Sequence, residues 1–378
     1  MTVAQKRKKP TQSVEEREDA PPAEEMANFQ LKRLVGHGGY AKVYMARNLT
    51  NQQLVAIKVI DKPQILKPED QKQIQQIKDE VNVLRPIHFP FITQMRQFFE
   101  NGSKVYIVLE FCQGGNLLNV INEHFKKKTK EMPSEADVKF YVSEIVCALE
   151  YLHENNILYR DLKCENIVVD KFGHLKLADF GLSKPNFTRN MTTRSICGTT
   201  GFKAPEMSGA YGRPVDIWAL GALVHDMITD EPPPLDKNTG AADLPNPIEY
   251  ACTGKEISGK LQNFIESLLT FEPRDRPDIS AVMRLPFLRK SEKDWVKVVQ
   301  KGFTPPYVPT FKSDVDCKIF GKWGNAVDEA KPAVNYDMLF AGFEFNGEQV
   351  EEEAAQEPQI AQENEPDTKK KKKNVRKN

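Results

Sequence analysis

Between Phe29 and Phe111 the chain alternates short β-branched and aromatic runs with polar breaks. "LKRLVG", "KVYMAR", "LVAIKVI" and "KVYIVLEF" predict strands, separated by turns such as "NLTNQQ". One segment in this stretch has another period. In "KPEDQKQIQQIKDEVNVL", Ile74, Ile77, Val81 and Leu84 recur at helical spacing, and Pro68, Glu69 and Asp70 suit a first turn, so a helix is predicted. After Cys112 the pattern becomes helical. In "SEADVKFYVSEIVCALEYLHENN" the residues Val138, Tyr141, Val142, Ile145, Leu149 and Leu152 make one apolar face, and Ser134 followed by Asp137 predicts a capping box. Strands first and helices afterwards predict an α+β fold in two lobes, with a cleft between a small sheet-rich lobe and a larger helical one.

Both ends of the chain read differently. Residues 1–28, with "KRKKP" and "EEREDAPPAEE", and residues 349–378, acidic and then lysine-rich, carry too little apolar surface to offset the entropy of ordering. They are expected to be disordered. The whole chain has 378 residues, 40% of them hydrophobic, enough for a sizeable core. Lys+Arg and Asp+Glu both number 53, so no net field points to nucleic acid, and the terminal basic runs offer it a weak contact at most. The six cysteines form no C-x-x-C pair, the six histidines show no zinc spacing, and no apolar run near the amino terminus has signal-peptide or membrane length. The start Met-Thr offers no myristoylation site, and the carboxyl end has no prenylation box. The expectation is a cytoplasmic protein without a membrane anchor, the nucleus remaining open.

Candidate chemistry begins in "LVGHGGYAKVYMA". Val35, Gly36, His37, Gly38, Gly39, Tyr40, Ala41, Lys42 and Val43 approximate the G-x-G-x-x-G-x-V hairpin that closes over phosphates, with Ala41 at the third glycine position. One methyl there costs about 1 kcal/mol if φ stays negative, so an altered but working lid is expected. "VAIK" then places Lys58 on a strand, where an ammonium can hold α and β phosphates; the bland alternative is an ordinary edge-strand lysine. In "YRDLKCEN", Asp161 suits the acceptor of a hydroxyl proton, Lys163 a γ-phosphate contact and Asn166 a neutral metal ligand, whereas the bland alternative is a solvated loop. "LADFG" adds Asp179, an anionic ligand suited to Mg²⁺. An ordinary turn explains its glycine but not the set.

These four elements, in this order, resemble a eukaryotic protein kinase. Tyr159, Arg160, Asp161, Leu162 and Asn166 match H-R-D-L-x-x-x-N, and the likeness extends to "APE" (Ala204, Pro205, Glu206) and "VDIWALG", covering residues 29–288. The resemblance implies a small antiparallel-sheet lobe (29–111) with one key helix, a large mainly helical lobe (112–288), ATP and Mg²⁺ as cofactors, and γ-phosphoryl transfer to protein Ser/Thr hydroxyls. It also implies the pairs Lys58 with Glu80 and Glu206 with Arg276, and a hinge, "LEFCQGGNLL", that sets Glu110 and Cys112 beside the nucleotide.

The tyrosine of "YRDLK", that hinge and "FPFITQMRQFF" resemble the cyclic-nucleotide-dependent, protein kinase C and related AGC group. Residues 289–348, with "DWVKVVQKGFTPPYVPTFKSDVD" and "FAGFEF", resemble its tail. This implies that Phe340 and Phe343 fill an apolar pocket behind the helix bearing Glu80. Glu344 stands where relatives carry a phosphorylated hydroxyl, and no Ser or Thr occurs from Asp314 through Asp367, so a constitutively engaged tail is expected. Regulation then falls on Ser195, whose phosphate Arg160 would engage, while Thr199 would meet Lys163 and Asp161. Nearby Cys197 is expected to be a buried, inert thiol, the alternative being an oxidation-sensitive one. Of the acids that select arginine in relatives, Glu165 and Asp226 are kept, whereas Asn116 and Gly201 replace two others. The two losses imply weakened arginine dependence, and Lys203, where an apolar residue lines the pocket for the next substrate residue, is expected to disfavour a basic neighbour and admit an acidic one. Protein substrates are the implied partners; an upstream kinase for Ser195 and a regulatory subunit stay open. The alternative reading is a pseudokinase scaffold, against which Lys58, Glu80, Asp161, Lys163, Asn166 and Asp179 are all present.

Overall fold

A computed structural model describes residues 24–66, 71–316, 318–320 and 338–347. Most of the amino-terminal arm, the proposed first turn at Pro68 to Asp70 and the terminal acidic and lysine-rich run lie outside the described residues. The last part of the arm is ordered: Glu24–Asn28 form a 3-10 turn, with Met26 packed against the outer face of the sheet that follows.

The small lobe opens with β1 (Phe29–His37), β2 (Ala41–Asn48) and β3 (Leu54–Asp61). Two helices follow, α1 (Lys62–Ile65) and α2 (Gln71–Leu84), and then β4 (Met95–Glu100) and β5 (Lys104–Glu110). The antiparallel sheet is ordered β1-β2-β3-β5-β4 and gains a sixth strand from the tail, β8 (Phe345–Asn346), alongside β4. Lys58 therefore sits on an inner strand, paired with Val43 on one side and Ile107 on the other, rather than on an edge. Alternation along β3 sends Val55, Ile57 and Val59 to an outer cluster with Phe29 and Tyr106. The opposite face carries Lys58 and Ile60, and Ile60 packs with Ile77 and Val81 of α2.

The large lobe begins with α3 (Leu117–Val120), continued by a π-helical turn over Ile121–Thr129, and α4 (Glu135–Glu154). Ser134 and Asp137 form the expected reciprocal capping box. A two-stranded ribbon, β6 (Ile167–Val169) and β7 (Leu175–Leu177), carries the next loops. It is followed by α5 (Pro214–Thr229), α6 (Gly259–Leu268), α7 (Ile279–Val282) and α8 (Glu292–Val299). α5 is buried on nearly every side, which fits its apolar run around Trp218. No helix among the described residues is long and apolar enough to cross a membrane.

The chain after α8 returns along both lobes. The Tyr307 carbonyl packs so tightly on Gly173 that a Cβ there would lie 2.1 Å from it, and Gly173 has φ +95°. Farther up, Phe320 stacks on Phe111 at 5.5 Å and Asp314 pairs with Arg47 of β2.

Candidate active site

Separate elements of both lobes bring the catalytic candidates together. β3 presents Lys58, whose Nζ lies 2.9 Å from both oxygens of Glu80 on α2. The same ammonium reaches Oδ1 of Asp179 across the cleft, at 3.2 Å. Burial alone would push the Lys58 ammonium down, but Asp179 and Glu80 outweigh it and hold the group firmly charged. Lys58 in turn holds the Asp179 carboxyl below its ordinary value, against its own desolvation. A Cβ on Gly181 would lie 3.3 Å from Asp179 Oδ1 and 3.5 Å from Glu80 Oε2, so the glycine keeps this triad uncrowded. Tyr40, at the hairpin tip, has its phenol raised chiefly by burial and lies within electrostatic reach of Lys58, Glu80 and Asp179.

The loop between α4 and β6 supplies the second cluster. Asn166 Nδ2 donates to the Asp161 carboxylate at 2.6 Å and to its carbonyl at 2.9 Å. Thr199 Oγ1 donates to the other Asp161 oxygen at 2.9 Å and accepts from Lys163 Nζ at 2.7 Å. Asp161, Lys163, Asn166 and Thr199 thus form one continuous network. Its backbone is held from beneath by Asp216 of α5, fully buried, which accepts from the amides of Tyr159 (3.0 Å) and Arg160 (2.8 Å) and from His153 Nε2 (2.9 Å). Those bonds fix Arg160 at φ 74°, and Asp179 is similarly held at φ 52°, conformations that non-glycine residues adopt only where surroundings enforce them.

Asp216 and His153 were missed by sequence reading, since a buried Asp in an apolar helix shows its role only when its partners are placed. A second such pair lies behind the ribbon, where Glu144 of α4 accepts from His174 Nδ1 (2.6 Å) and the Leu175 amide (2.8 Å).

In the hairpin, Gly36 and Gly38 have no positive φ, and a Cβ on either would meet only ordinary contacts at 3.5 and 3.6 Å. The fold itself therefore does not demand glycine at either position. Ala41 pairs with Ile60 and is absent from the positive-φ residues, so its methyl is accommodated as β-strand. Val35, His37, Gly39, Lys42 and Val43 complete the hairpin, His37 and Lys42 exposed. At the hinge, Cys112 is buried and its thiol strongly raised by desolvation. The Glu110 carboxylate is taken by Lys176 (2.7 Å) and the Gln94 amide (2.9 Å).

Arg160 also points into the loop that precedes "APE". Its Nη1 donates to Ser195 Oγ at 2.9 Å and its Nε to the Leu182 carbonyl at 2.6 Å. Thr193 Oγ1 lies 3.0 Å from Ser195 Oγ and accepts from Lys184 Nζ at 3.0 Å, so two cations converge on the two hydroxyls. Cys197 is only half-buried, its Sγ 3.5 Å from the Tyr211 hydroxyl. Glu206 and Arg276 pair at 2.7 Å, with Arg276 stacked over Trp218 at 5.1 Å.

On the substrate side, Asn116 caps α3 by accepting from the Asn119 amide. Gly201 has φ +92°, and a Cβ there would lie 2.8 Å from Pro232, so no acid fits without rearrangement. Asp226 accepts from the Cys164 thiol at 3.6 Å and burial pushes its carboxyl up to about 6. Glu165 is exposed, and the half-buried Lys203 lies with its stem 3.6 Å from where a Cβ on Gly198 would sit.

The tail meets the small lobe behind α2. Phe340 is 1% exposed and meets Phe98 edge-on at 5.6 Å, while Lys78 stands over Phe340 at 5.9 Å and over Phe343 at 5.4 Å. The amides of Leu339 (3.1 Å) and Phe340 (2.6 Å) donate to Glu100, which pairs at 2.7 Å with Lys62; both of those side chains are fully buried. Glu344 is exposed and accepts from the Gly342 amide at 2.8 Å. Its carboxylate closes a local turn there.

Comparison with known sequences fits this geometry. The family described as "Protein kinase domain" matches residues 29–288. A probable serine/threonine-protein kinase of Dictyostelium discoideum is 36% identical over 300 residues, 78% of this chain and 63% of the relative. Ribosomal protein S6 kinase beta of Caenorhabditis elegans is 34% identical, over 84% of this chain and 59% of the relative. Serine/threonine-protein kinase Sgk1 of Gallus gallus is 33% identical, over 82% of this chain and 71% of the relative. The chain spans about three fifths of the length of the first two.

Proposed function

This chain belongs to the protein kinase family, among relatives of the AGC group, and from that premise we propose that it is an active serine/threonine kinase using ATP and Mg²⁺. The observation that carries the reading is the contact of Lys58 with Asp179 at 3.2 Å, which joins the small-lobe cation to the large-lobe acid at one point.

The residues fit the cofactors. Asp179 is anionic with its side chain 55% exposed, and Asn166, which donates its amide to Asp161, keeps its carbonyl oxygen for a hard cation. When bound, MgATP supplies the phosphoryl group and neutralises its charge. Lys58, fixed by Glu80, orients the phosphates; the glycine hairpin covers them and excludes water. Lys163 lies where it can steady the transferred group. Asp161, oriented by Asn166 and Thr199, accepts the proton of the attacking Ser or Thr hydroxyl.

Phosphorylation of Ser195 would give Arg160 and Lys184 an anion to hold in place of a hydroxyl, setting the loop through which Thr199 reaches Asp161. An upstream kinase is the partner this requires. The tail acts as a permanent clamp on α2, keeping Glu80 against Lys58. For substrates, the cap made by Asn116 and the locked Gly201 support weakened arginine selection, and Lys203 favours an acidic residue after the target. We place the enzyme in the cytoplasm or nucleus.

The deciding experiment is an ATP-dependent peptide-library assay on purified protein, before and after phosphatase, with Asp161→Asn alongside. Transfer lost in the variant supports the enzyme; equal, absent transfer in both, from fully phosphorylated protein, supports a scaffold.

A further inference from the structure

A cleft of about 240 Å³ lies on the large lobe between the first half of α4 and the chain on either side of α8, and no residue of the catalytic cluster lines it. Phe140, Val298 and Phe303 give it an apolar wall, and the side chains of Lys139, Lys290 and Lys301 also line it. Lys301 is already paired with Asp170, at 2.8 Å. Lys290 is differently placed: it donates to the Ser143 hydroxyl at 2.7 Å and stands 4.8 Å over the Trp295 ring. Among the described residues, neither Lys139 nor Lys290 has a carboxylate at ion-pair distance. Glu144, the acid in the wall, has both oxygens engaged by His174 and the Leu175 amide. Desolvation, with repulsion from Lys139, pushes the Lys290 ammonium down to about 8. Lys290 thus has Ser143, the Trp295 ring and the pull of Asp294 but no ion-pair partner, and an anionic guest would supply one beside the apolar wall.

We infer that this cleft binds a small anionic amphiphile, its carboxylate set against Lys290 and Lys139 and its hydrocarbon body against Phe140, Val298 and Phe303. Size limits the guest. A dry cavity of about 150 Å³ takes benzene, so this one suits a chain or single ring of roughly eight to ten heavy atoms. A cation would be repelled by Lys139 and Lys290, and a neutral alcohol could accept a hydrogen bond from them without neutralising either. The cleft is also built into the ribbon that carries the metal-ligand candidates. Glu144 grips β7 from one wall, and Lys301 grips Asp170, at the end of β6, from the other.

The test is isothermal titration and thermal melting of the full chain with octanoate, octanol and octylamine. Octanoate should bind and raise the melting temperature, with octanol about tenfold weaker or more and octylamine weakest. Lys290→Met, which keeps the packing stem, should abolish the preference for acid over alcohol; Lys139→Met should reduce it and serves if the first variant does not fold. Equal binding of octanoate and octanol, an unchanged preference in both lysine variants, or no binding of octanoate at millimolar concentration would overturn the inference. None of these outcomes depends on the kinase reading.

Discussion

Lys58 and Asp179, 121 positions apart in the chain, lie 3.2 Å from one another, and the same ammonium is gripped by both oxygens of Glu80 at 2.9 Å. Glu80 is almost wholly buried, so removing its partner strands a charge. Lys58→Met is therefore expected to cost about 3–5 kcal/mol of stability as well as activity. Adding Glu80→Gln should recover much of the stability and none of the activity, and melting curves beside a transfer assay would show the split.

Asp161 is held by the neutral donors Asn166 and Thr199 and lies 3.3 Å from Lys163 Nζ, so Asp161→Asn keeps the size of the side chain while deleting the proposed proton acceptor. The expected result is a fall in kcat of about 10²–10⁴-fold with little change in melting temperature. A variant as active as the parent would remove Asp161 from the mechanism.

The hydroxyl of Ser195 already receives the Arg160 guanidinium, at 2.9 Å. Ser195→Ala should lower activity by about tenfold or more relative to phosphorylated protein, and phosphatase treatment of the parent should reproduce the loss. Full activity in protein shown by mass spectrometry to be unphosphorylated there would exclude the role.

Phe340 is fully enclosed against Phe98. Phe340→Ala is expected to destabilise the small lobe by about 3 kcal/mol, the low end for a buried ring because the tail can lift away. Activity should fall with it, since α2 loses a support. Unchanged stability and turnover in Phe340→Ala with Phe343→Ala would end the idea of a permanent clamp.

Asp226 has a folded-state value near 6, above the ordinary carboxyl, so the folded protein holds a proton that the unfolded chain has lost between about pH 4 and 6. Its contribution to stability is complete below that window and declines as pH rises through it. Asp226→Asn should remove this slope from the stability profile. Whatever arginine preference remains should strengthen from pH 5 to 7 as the carboxylate forms, measurable with paired peptides.

The legible part of this molecule was the part chemistry constrains locally. Lys58, Asp161, Lys163, Asn166 and Asp179 were legible because their short motifs occur together in one order, the set that resembles a protein kinase's, and α4 was legible because its cap and apolar stripe agree. By contrast, "MRQFFE" gave no clean alternation, and β4 exists because β5 lies on one side and the tail on the other. Asp216, Glu100 and Lys62 are charged residues that the interior accepts only because partners far along the chain meet them. Glu344 illustrates the reverse case: it stands where a phosphate would be expected, yet it closes its own turn.

The short pairing of Phe345 and Asn346 with β4 has a consequence for handling the protein. Without that cover, β4 would present a row of unsatisfied amides and carbonyls flanked by Phe98 and Phe99, the kind of open seam at which separate molecules zip together. A version trimmed before Met338 is thus more prone to clumping than to simple slackening, and its losses on concentration would grow with protein dose rather than with temperature alone.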